Sequence, residues 1–112
     1  MYMHTDPATG RTDEFVSDHI SLPTNDPSIE VNVLWWAKMQ DDEWRSGYTV
    51  DKLQNGRSYS QDFDLPSAAH VWWATRGDVD WSEHERLIPM LEKMPTRTAQ
   101  QAPEFQPVRR VA

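Results

Sequence analysis

The chain contains no cysteine, which excludes disulfide bonds, thiolate metal sites and cysteine nucleophiles. Glycine is scarce too, with four in 112 residues, and the sequence has neither a glycine-rich phosphate-binding loop nor the G-x-S-x-G motif of serine hydrolases. No apolar run approaches the roughly 20 residues of a membrane-spanning helix, and the first residues lack the basic start and apolar stretch of a signal peptide. We therefore expect a cytoplasmic protein that makes no membrane contact.

Basic residues are outnumbered, since 11 Lys and Arg face 18 Asp and Glu and leave a net charge of −7. The acids are concentrated in residues 1–92, whereas residues 93–112 carry four bases and one acid. Proteins that grip a nucleic-acid backbone need clustered Lys and Arg, so we do not expect a nucleic-acid partner. The charge favours encounter with a basic protein surface, although an acidic surface also serves solubility alone.

Tryptophan, by contrast, is abundant, and its six residues fall into two similar segments. Residues 35–44 and 72–81 share the pattern W-W-A-x-x-x-D-x-(E/D)-W, and residues 17–23 and 60–66 upstream share S-x-x-(I/F)-x-L-P. Three matched Trp in one register predict an internal repeat, in which one structural unit is used twice. We therefore expect the two Trp segments to have the same secondary structure.

Hydrophobic periodicity predicts an α+β fold, mainly an antiparallel β-meander of about four or five strands followed by one C-terminal helix. The clearest strand covers residues 29–37, where apolar side chains alternate with polar ones. Asn55-Gly56 lies between two Tyr-containing runs and predicts a tight hairpin, although residues 48–53 could instead form a short helix. After a short link, residues 70–75 are predicted to form a further strand.

The C-terminal helix is predicted from Ser82 and Glu85, which form a capping-box pattern at its start. Pro89 lacks a backbone donor, so the helix should bend or restart there. Pro95 follows the last turn of the apolar pattern, and the helix should end before it.

Composition divides the chain into three parts. Residues 1–13 are polar and aperiodic and should form a flexible N-terminal arm. Residues 14–94 should form a single compact domain. Residues 95–112, with their Pro and Gln residues and their excess of bases, should form an extended tail.

The sharpest candidate site is a pair of tryptophans, Trp36 and Trp73. Neighbouring residues in a strand point to opposite faces, so we expect Trp35 and Trp72 in the core and the other two on the outer face. Two exposed Trp residues could form an interface hot spot or a platform on which a sugar ring or a cation stacks. Alternatively, the C-terminal helix covers this face and both side chains belong to the core.

Charged residues complete the predicted partner-binding surface. Asp41, Asp42 and Asp78 lie in acidic turns within the Trp segments. Arg109 and Arg110 in the basic tail can pair with carboxylates of a neighbour or of the acidic body. Each of these side chains could also simply be solvated.

Metal binding and catalysis find weaker support. The segment Asp78-x-Asp80-x-Ser82 lacks the glycine and the closing glutamate of an EF-hand calcium loop, so we predict no bound metal, and we expect no cofactor. A general base would require His19 or His70 to lie beside a carboxylate, but no residue pattern selects a catalytic set.

These features favour a small acidic, non-catalytic binding or accessory protein that docks on another protein through a Trp-bearing, carboxylate-rimmed surface. A small subunit of a complex, a virion component and an inhibitor all fit that description. The first alternative is a small ligand-binding module that uses Trp stacking, and the second is a small enzyme with a histidine–carboxylate pair. The residues do not identify the partner.

Overall fold

The computed structural model describes residues 1–64 and 67–101. Within this part of the chain, six β-strands precede two α-helices that are separated by a short 3₁₀ turn. The strands are β1 (Tyr2–Thr5), β2 (Thr12–Val16), β3 (Ile20–Leu22), β4 (Ile29–Gln40), β5 (Glu43–Gln54) and β6 (Arg57–Phe63). The helices are α1 (Ala68–Thr75) and α2 (His84–Gln101), and the 3₁₀ turn is Trp81–Glu83.

All the strands described above join one antiparallel sheet in the order β1-β2-β4-β5-β6, and β3 also pairs with β4. β2 and β3 pair with successive parts of β4, on the side opposite β5. The predicted α+β class, a mainly antiparallel sheet with a C-terminal helix, is therefore confirmed, and the described residues form six strands rather than four or five.

Two tight turns set the register of the central strands. Asp41 and Asp42 link β4 to β5 with φ of 52° and 62°, and Asn55 and Gly56 link β5 to β6 with φ of 53° and 73°. Two successive residues with positive φ are typical of the type I′ turn, whose twist matches that of antiparallel strands. The predicted hairpin is therefore confirmed, and residues 48–53 are strand rather than helix.

One face of the sheet packs against both helices, and we call it the helix-covered face. On β4, the alternation predicted from the sequence places Val31, Val33, Trp35 and Ala37 on this face, essentially excluded from solvent. The rest of the core comes from Phe15, Leu22, Tyr48 and Val50 of the other strands, Ala68 and Val71 of α1, Val79, and Leu87, Leu91 and Met94 of α2. We call the opposite side of the sheet the open face.

The ends of the domain differ from the sequence prediction. Where a flexible arm is predicted over residues 1–13, the structure has β1, which pairs with β2 from Tyr2 opposite Val16 to Thr5 opposite Thr12. Hairpin pairing gives this polar segment its backbone partners, which composition does not reveal. At the other end, α2 continues to Gln101 through the start of the predicted tail, and residues 102–112 lie outside the described residues.

The internal repeat predicted from the Trp segments is wrong. Residues 35–44 lie in β4, its turn and β5, whereas residues 70–75, predicted as a strand, lie in α1. The hydroxyl group of Ser67 caps this helix by accepting a hydrogen bond from the N–H of Ala69 at 3.3 Å. The buried residues of the segment are Ala68, Val71 and Thr75. They are three and four residues apart, which is the spacing of one side of a helix and not the two-residue spacing of a strand.

Two prolines lie inside α2, and the helix runs through both. Proline has no backbone N–H, so Pro95 cannot donate to the carbonyl of Leu91, four residues earlier. The hydroxyl of Tyr48 on β5 donates to this buried carbonyl instead, with an O···O distance of 2.6 Å. The carbonyl that Pro89 leaves without its helical donor belongs to the exposed residue Glu85. A side chain of the sheet therefore replaces the hydrogen bond that α2 lacks, and Pro95 does not end the helix as predicted.

Candidate docking surface on the first helix

Helix α1 presents two tryptophans to solvent. Its inner side packs in the core through Val71, and at about 100° per residue the side chain of Trp73 points nearly away from that side. Trp72 is 39% and Trp73 61% exposed, and the helix sequence contains no Asp, Glu, Lys or Arg. A helix that is apolar on every side is normally buried on every side, so the outer side of α1 is an unusual exposed apolar surface.

Contacts within the helix region hold the two indole rings in place. The ring centroids of Trp72 and Trp73 are 6.1 Å apart, at an interplanar angle of 43°. The guanidinium carbon of Arg76 lies 3.7 Å from the Trp73 ring centroid, and Arg76 Nη1 donates to the Trp73 carbonyl at 2.9 Å. The cation–π contact places the guanidinium group of Arg76 against one face of the Trp73 ring, and the hydrogen bond holds the guanidinium group in that position. We call Trp72, Trp73 and Arg76 the Trp surface.

A groove of about 400 Å³ continues the Trp surface between α1 and α2. Trp72 forms one wall and Ile88 of α2 forms another, and Glu92, an exposed acid of α2, also lines the groove. The other lining residues are Ser67, Ala68 and Ala69. Because the walls are largely apolar and the charged lining residue is acidic, the groove fits an apolar side chain that lies next to a base.

Trp36, the other half of the predicted pair, lies on the open face of the sheet and is only 9% exposed. Gly47 makes room for its ring, because a Cβ at that position would lie 2.7 Å from Trp36 Cζ2. The ammonium group of Lys38 lies 5.2 Å from the centroid of the same ring. The expectation that Trp36 and Trp73 share one exposed patch is wrong, since α1 packs on the other face of the sheet. The expectation of a buried Trp72 is also wrong, because its segment is a helix.

The predicted acidic residues lie at separate places in the fold. Asp41 and Asp42 form the β4–β5 turn, where Asp is among the few non-glycine residue types that tolerate positive φ. Asp78 follows α1, and its carboxylate pairs with the ammonium group of Lys52 at 3.1 Å. Lys52 lies roughly 30 Å along β5 from the β4–β5 turn, at about 3.4 Å per residue. The structure therefore does not combine these carboxylates into one rim.

The predicted contacts of the basic tail are not tested by the structure. Arg109 and Arg110 lie outside the described residues. Their pairing with carboxylates of the acidic body or of a neighbour stays a prediction.

Histidine–carboxylate pairs of the described residues lie on the surface. His19 Nε2 is 3.5 Å from a carboxylate oxygen of Asp51, and the histidine is largely accessible to water. His4 Nδ1 is 2.6 Å from Asp13 in the β1–β2 hairpin, and the hydrogen bond and charge of this carboxylate raise the pKa of His4. His70 is half-buried beside an aromatic ring. Neither pair lines the groove beside the Trp surface, so the geometry assigns neither a catalytic task.

The carboxylates of Asp78 and Asp80, in the segment that partly matches an EF-hand calcium loop, have separate partners. Asp80 caps the 3₁₀ turn by accepting from the backbone N–H of Ser82 at 3.0 Å, and hydrogen bonds from Ser82 lower the pKa of this carboxyl. Asp78 is held by Lys52. Residues 1–64 and 67–101 contain no cluster of three or more His, Cys, Asp or Glu side chains that could hold a metal ion.

A second cleft, which the sequence does not reveal, lies between β6 and the end of α1. Its volume is about 260 Å³, Val31 and Val50 give it apolar walls, and the ion pair of Lys52 with Asp78 lines it. Tyr59 of the edge strand also lines this cleft and is 51% exposed, because the helices do not cover that edge of the sheet. The alternation of Tyr59 with serines in β6 is the sequence signal that could have indicated a half-covered strand.

Comparison of the chain with protein-family models, with curated proteins and with solved structures finds no match. No helix among the described residues is long and apolar enough to cross a membrane. Evidence on function therefore comes from the Trp surface and the groove beside it.

Proposed function

We propose that this chain is a small, non-catalytic binding or accessory protein that docks on another protein through its Trp surface. The single observation that carries the proposal is the exposure of Trp72 and Trp73 on a helix without charged residues. Exposed apolar patches on small domains mark interaction sites, and Trp is among the residues that dominate binding energy at interfaces. A partner that covers both rings removes from water the apolar surface that the fold leaves exposed.

The groove and the net charge define the chemistry of the partner. An apolar side chain of the partner fills the groove between Trp72 and Ile88, and a neighbouring Lys or Arg meets Glu92. The net charge of −7 favours a basic partner at longer range, so the exposed carboxylates of the β4–β5 turn act on the association rate. Arg109 and Arg110 are further candidate contacts. A cytoplasmic location belongs to the same proposal, as does a role as subunit of a complex, virion component or inhibitor.

Partner capture with the tagged full chain, followed by mass spectrometry, tests the proposal when variants are compared. Trp73→Ala removes the more exposed indole ring, and Tyr2→Ala removes an exposed aromatic ring of β1 as the matched control. We expect the wild type and the Tyr2→Ala variant to capture the same protein, and Trp73→Ala to weaken its binding by about 2 kcal/mol or more. If no protein is captured, or if its recovery does not depend on Trp73, the proposal fails.

A further inference from the structure

The outer edge of β6 has no strand beside it in the described part of the chain, because the strand order ends there. All of its residues except Phe63 are exposed. We propose that this edge pairs with β6 of a second copy of this chain, so that the two sheets become one continuous antiparallel sheet. This proposal concerns a different surface from the Trp surface and does not rest on the proposed function.

The other edge strands of the described sheet carry more of the features that discourage pairing than β6, whose charged residues are Arg57 and Asp62. β1 has four residues and a shift of register between His4 and Thr5. β3 has three residues and is followed by Pro23. β6 has seven residues in continuous register with β5, and its sequence contains neither proline nor lysine. Short strands, bulges, charged side chains and proline are the common means of protecting an edge, so β6 is the least protected of these edge strands.

The turn at Asn55 and Gly56 determines which backbone groups of β6 point outwards. In a two-residue hairpin the closing pair, here Gln54 and Arg57, is hydrogen-bonded across the hairpin. Hydrogen-bonded pairs then alternate with pairs whose N–H and C=O groups point away from the neighbouring strand. The outward groups of β6 therefore belong to every second residue, which are Ser58, Ser60 and Asp62.

A two-fold axis at Ser60 gives these groups a self-complementary antiparallel register. Ser60 pairs with Ser60 of the second copy, and Ser58 pairs with Asp62 on either side, which gives about six backbone hydrogen bonds. The hydroxyl group of Ser58 comes opposite the carboxylate of Asp62, a donor opposite an acceptor. On the helix-covered face Tyr59 comes opposite Gln61, and no like charges face each other over residues 57–63.

Tyr59 adds an apolar contribution to this pairing. An axis perpendicular to the sheet keeps the helices of both copies on the same side of the joint sheet, so the two clefts beside β6 meet across the axis. Tyr59 and Gln61 both line that cleft. The exposed ring of Tyr59 is therefore covered by the second copy, which removes apolar surface from water.

The dependence on salt distinguishes the pairing of two copies from docking on a basic partner. Each copy carries a net charge of −7, which opposes association of two copies at low salt. Screening over a length of about 8–10 Å at physiological ionic strength removes most of this repulsion, so the dimer should strengthen as salt is added. Binding to a basic partner should weaken under the same change.

Sedimentation equilibrium of the full chain at increasing concentration measures the association. We expect the average mass to rise from 13.1 kDa towards twice that value, and to rise further at higher salt. Ser60→Pro removes an outward N–H and leaves the pairing with β5 intact, since edge strands tolerate proline where the N–H faces solvent. This variant should stay monomeric and should have the Tm that the wild type shows at concentrations where it too is monomeric, whereas Ser60→Ala, which keeps the N–H, should dimerise like the wild type.

Cross-linking gives a second test that does not depend on the proline variant. Because the chain lacks cysteine, Ser60→Cys introduces a single thiol. In the proposed register the two Cα atoms at this position lie about 5.5 Å apart, within the range of a disulfide. Ser58→Cys is the matched control, because its two copies lie roughly 14 Å apart along the paired strands. Oxidation should link Ser60→Cys on the order of tenfold faster than Ser58→Cys.

Two results would overturn the proposal. The first is the mass of a single chain at every concentration and salt level, which would assign the edge to solvent or to another occupant. The second is equal cross-linking of the two cysteine variants, which would mean that the copies meet elsewhere or only by collision.

Discussion

Replacing Tyr48 by phenylalanine keeps the buried ring but removes the hydroxyl group that donates to the Leu91 carbonyl. Pro95 has no N–H to offer, so this carbonyl would be left without a donor in the core. A buried polar group that loses its partner costs roughly 1–3 kcal/mol. We therefore expect Tyr48→Phe to lower the free energy of unfolding by about that amount in urea denaturation.

Pro95→Ala supplies the control for this reasoning. An N–H at position 95 can bond to the Leu91 carbonyl in the usual helical manner, so the Tyr48 hydroxyl becomes dispensable. Urea unfolding of the wild type, the two single variants and the double variant completes a double-mutant cycle. We expect the cost of Tyr48→Phe to fall by about 1 kcal/mol or more in the Pro95→Ala background. Equal costs in the two backgrounds would refute the proposed exchange of donors.

Ionisation of Tyr48 should also make the protein less stable at alkaline pH. Burial, followed by the nearby Glu92 carboxylate, raises the pKa of Tyr48 to about 12, whereas an unfolded Tyr ionises near pH 10. The raised pKa of Tyr48 contributes to the free energy of unfolding, and this contribution is complete below about pH 10 and is lost as the pH rises through 12. Between these two pH values the unfolded state has released the Tyr48 proton and the folded state has not. The loss should reach at most about 3 kcal/mol. Urea unfolding of Tyr48→Phe over the same pH range should lack this component.

Three further substitutions test the turns and the packing by denaturant unfolding. Asp42→Gly should raise the free energy of unfolding by about 1 kcal/mol, because glycine relieves a positive φ, and a destabilised variant would contradict this. Gly47→Ala should cost at least about 1–3 kcal/mol, since its Cβ would overlap the Phe63 carbonyl oxygen and crowd Trp36; an unchanged midpoint would disprove that packing. Trp35→Ala should cost roughly 3–5 kcal/mol, and a cost under about 1 kcal/mol would mean that the ring is not buried.

Local sequence patterns predict the centre of the sheet. In β4 the alternation of Val31, Val33 and Trp35 with polar residues identifies both the strand and its buried side. Asn55-Gly56 predicts the turn because few residue pairs accept two successive positive φ values. Both signals depend on neighbours in the sequence, so they can be read without knowing which elements pack together.

The two Trp-Trp-Ala segments show that a local sequence pattern does not always predict the secondary structure. The same three residue types lie in a strand at 35–37 and in a helix at 72–74. A short apolar run does not select between the two periods, so the context decides: β2 and β5 flank the first segment, and Ser67 caps the second. The sequence therefore selects Trp73 as a candidate site residue, but it leaves open whether the ring is exposed and pairs it with Trp36 instead of Trp72.

The length of α2 depends on a contact between residues that are far apart in the sequence. Proline normally marks the end of a helical pattern, and Pro95 is predicted to do so. The compensating hydroxyl comes from Tyr48, which lies 43 residues before Leu91 in the chain. Only the packing of β5 against α2 brings the donor to the carbonyl, which is why the helix end could not be predicted.

Photo-cross-linking from position 73 tests most directly the claim that another protein covers the Trp surface. A photoreactive benzoylphenylalanine in place of Trp73, in the full chain within the cells that express it, forms a bond only with molecules in contact with that position. The same group in place of Tyr2 is the control, because that ring is exposed on β1. We predict a covalent product with a defined protein from position 73 and none from position 2. No product from position 73, or the same products from both positions, would contradict the account.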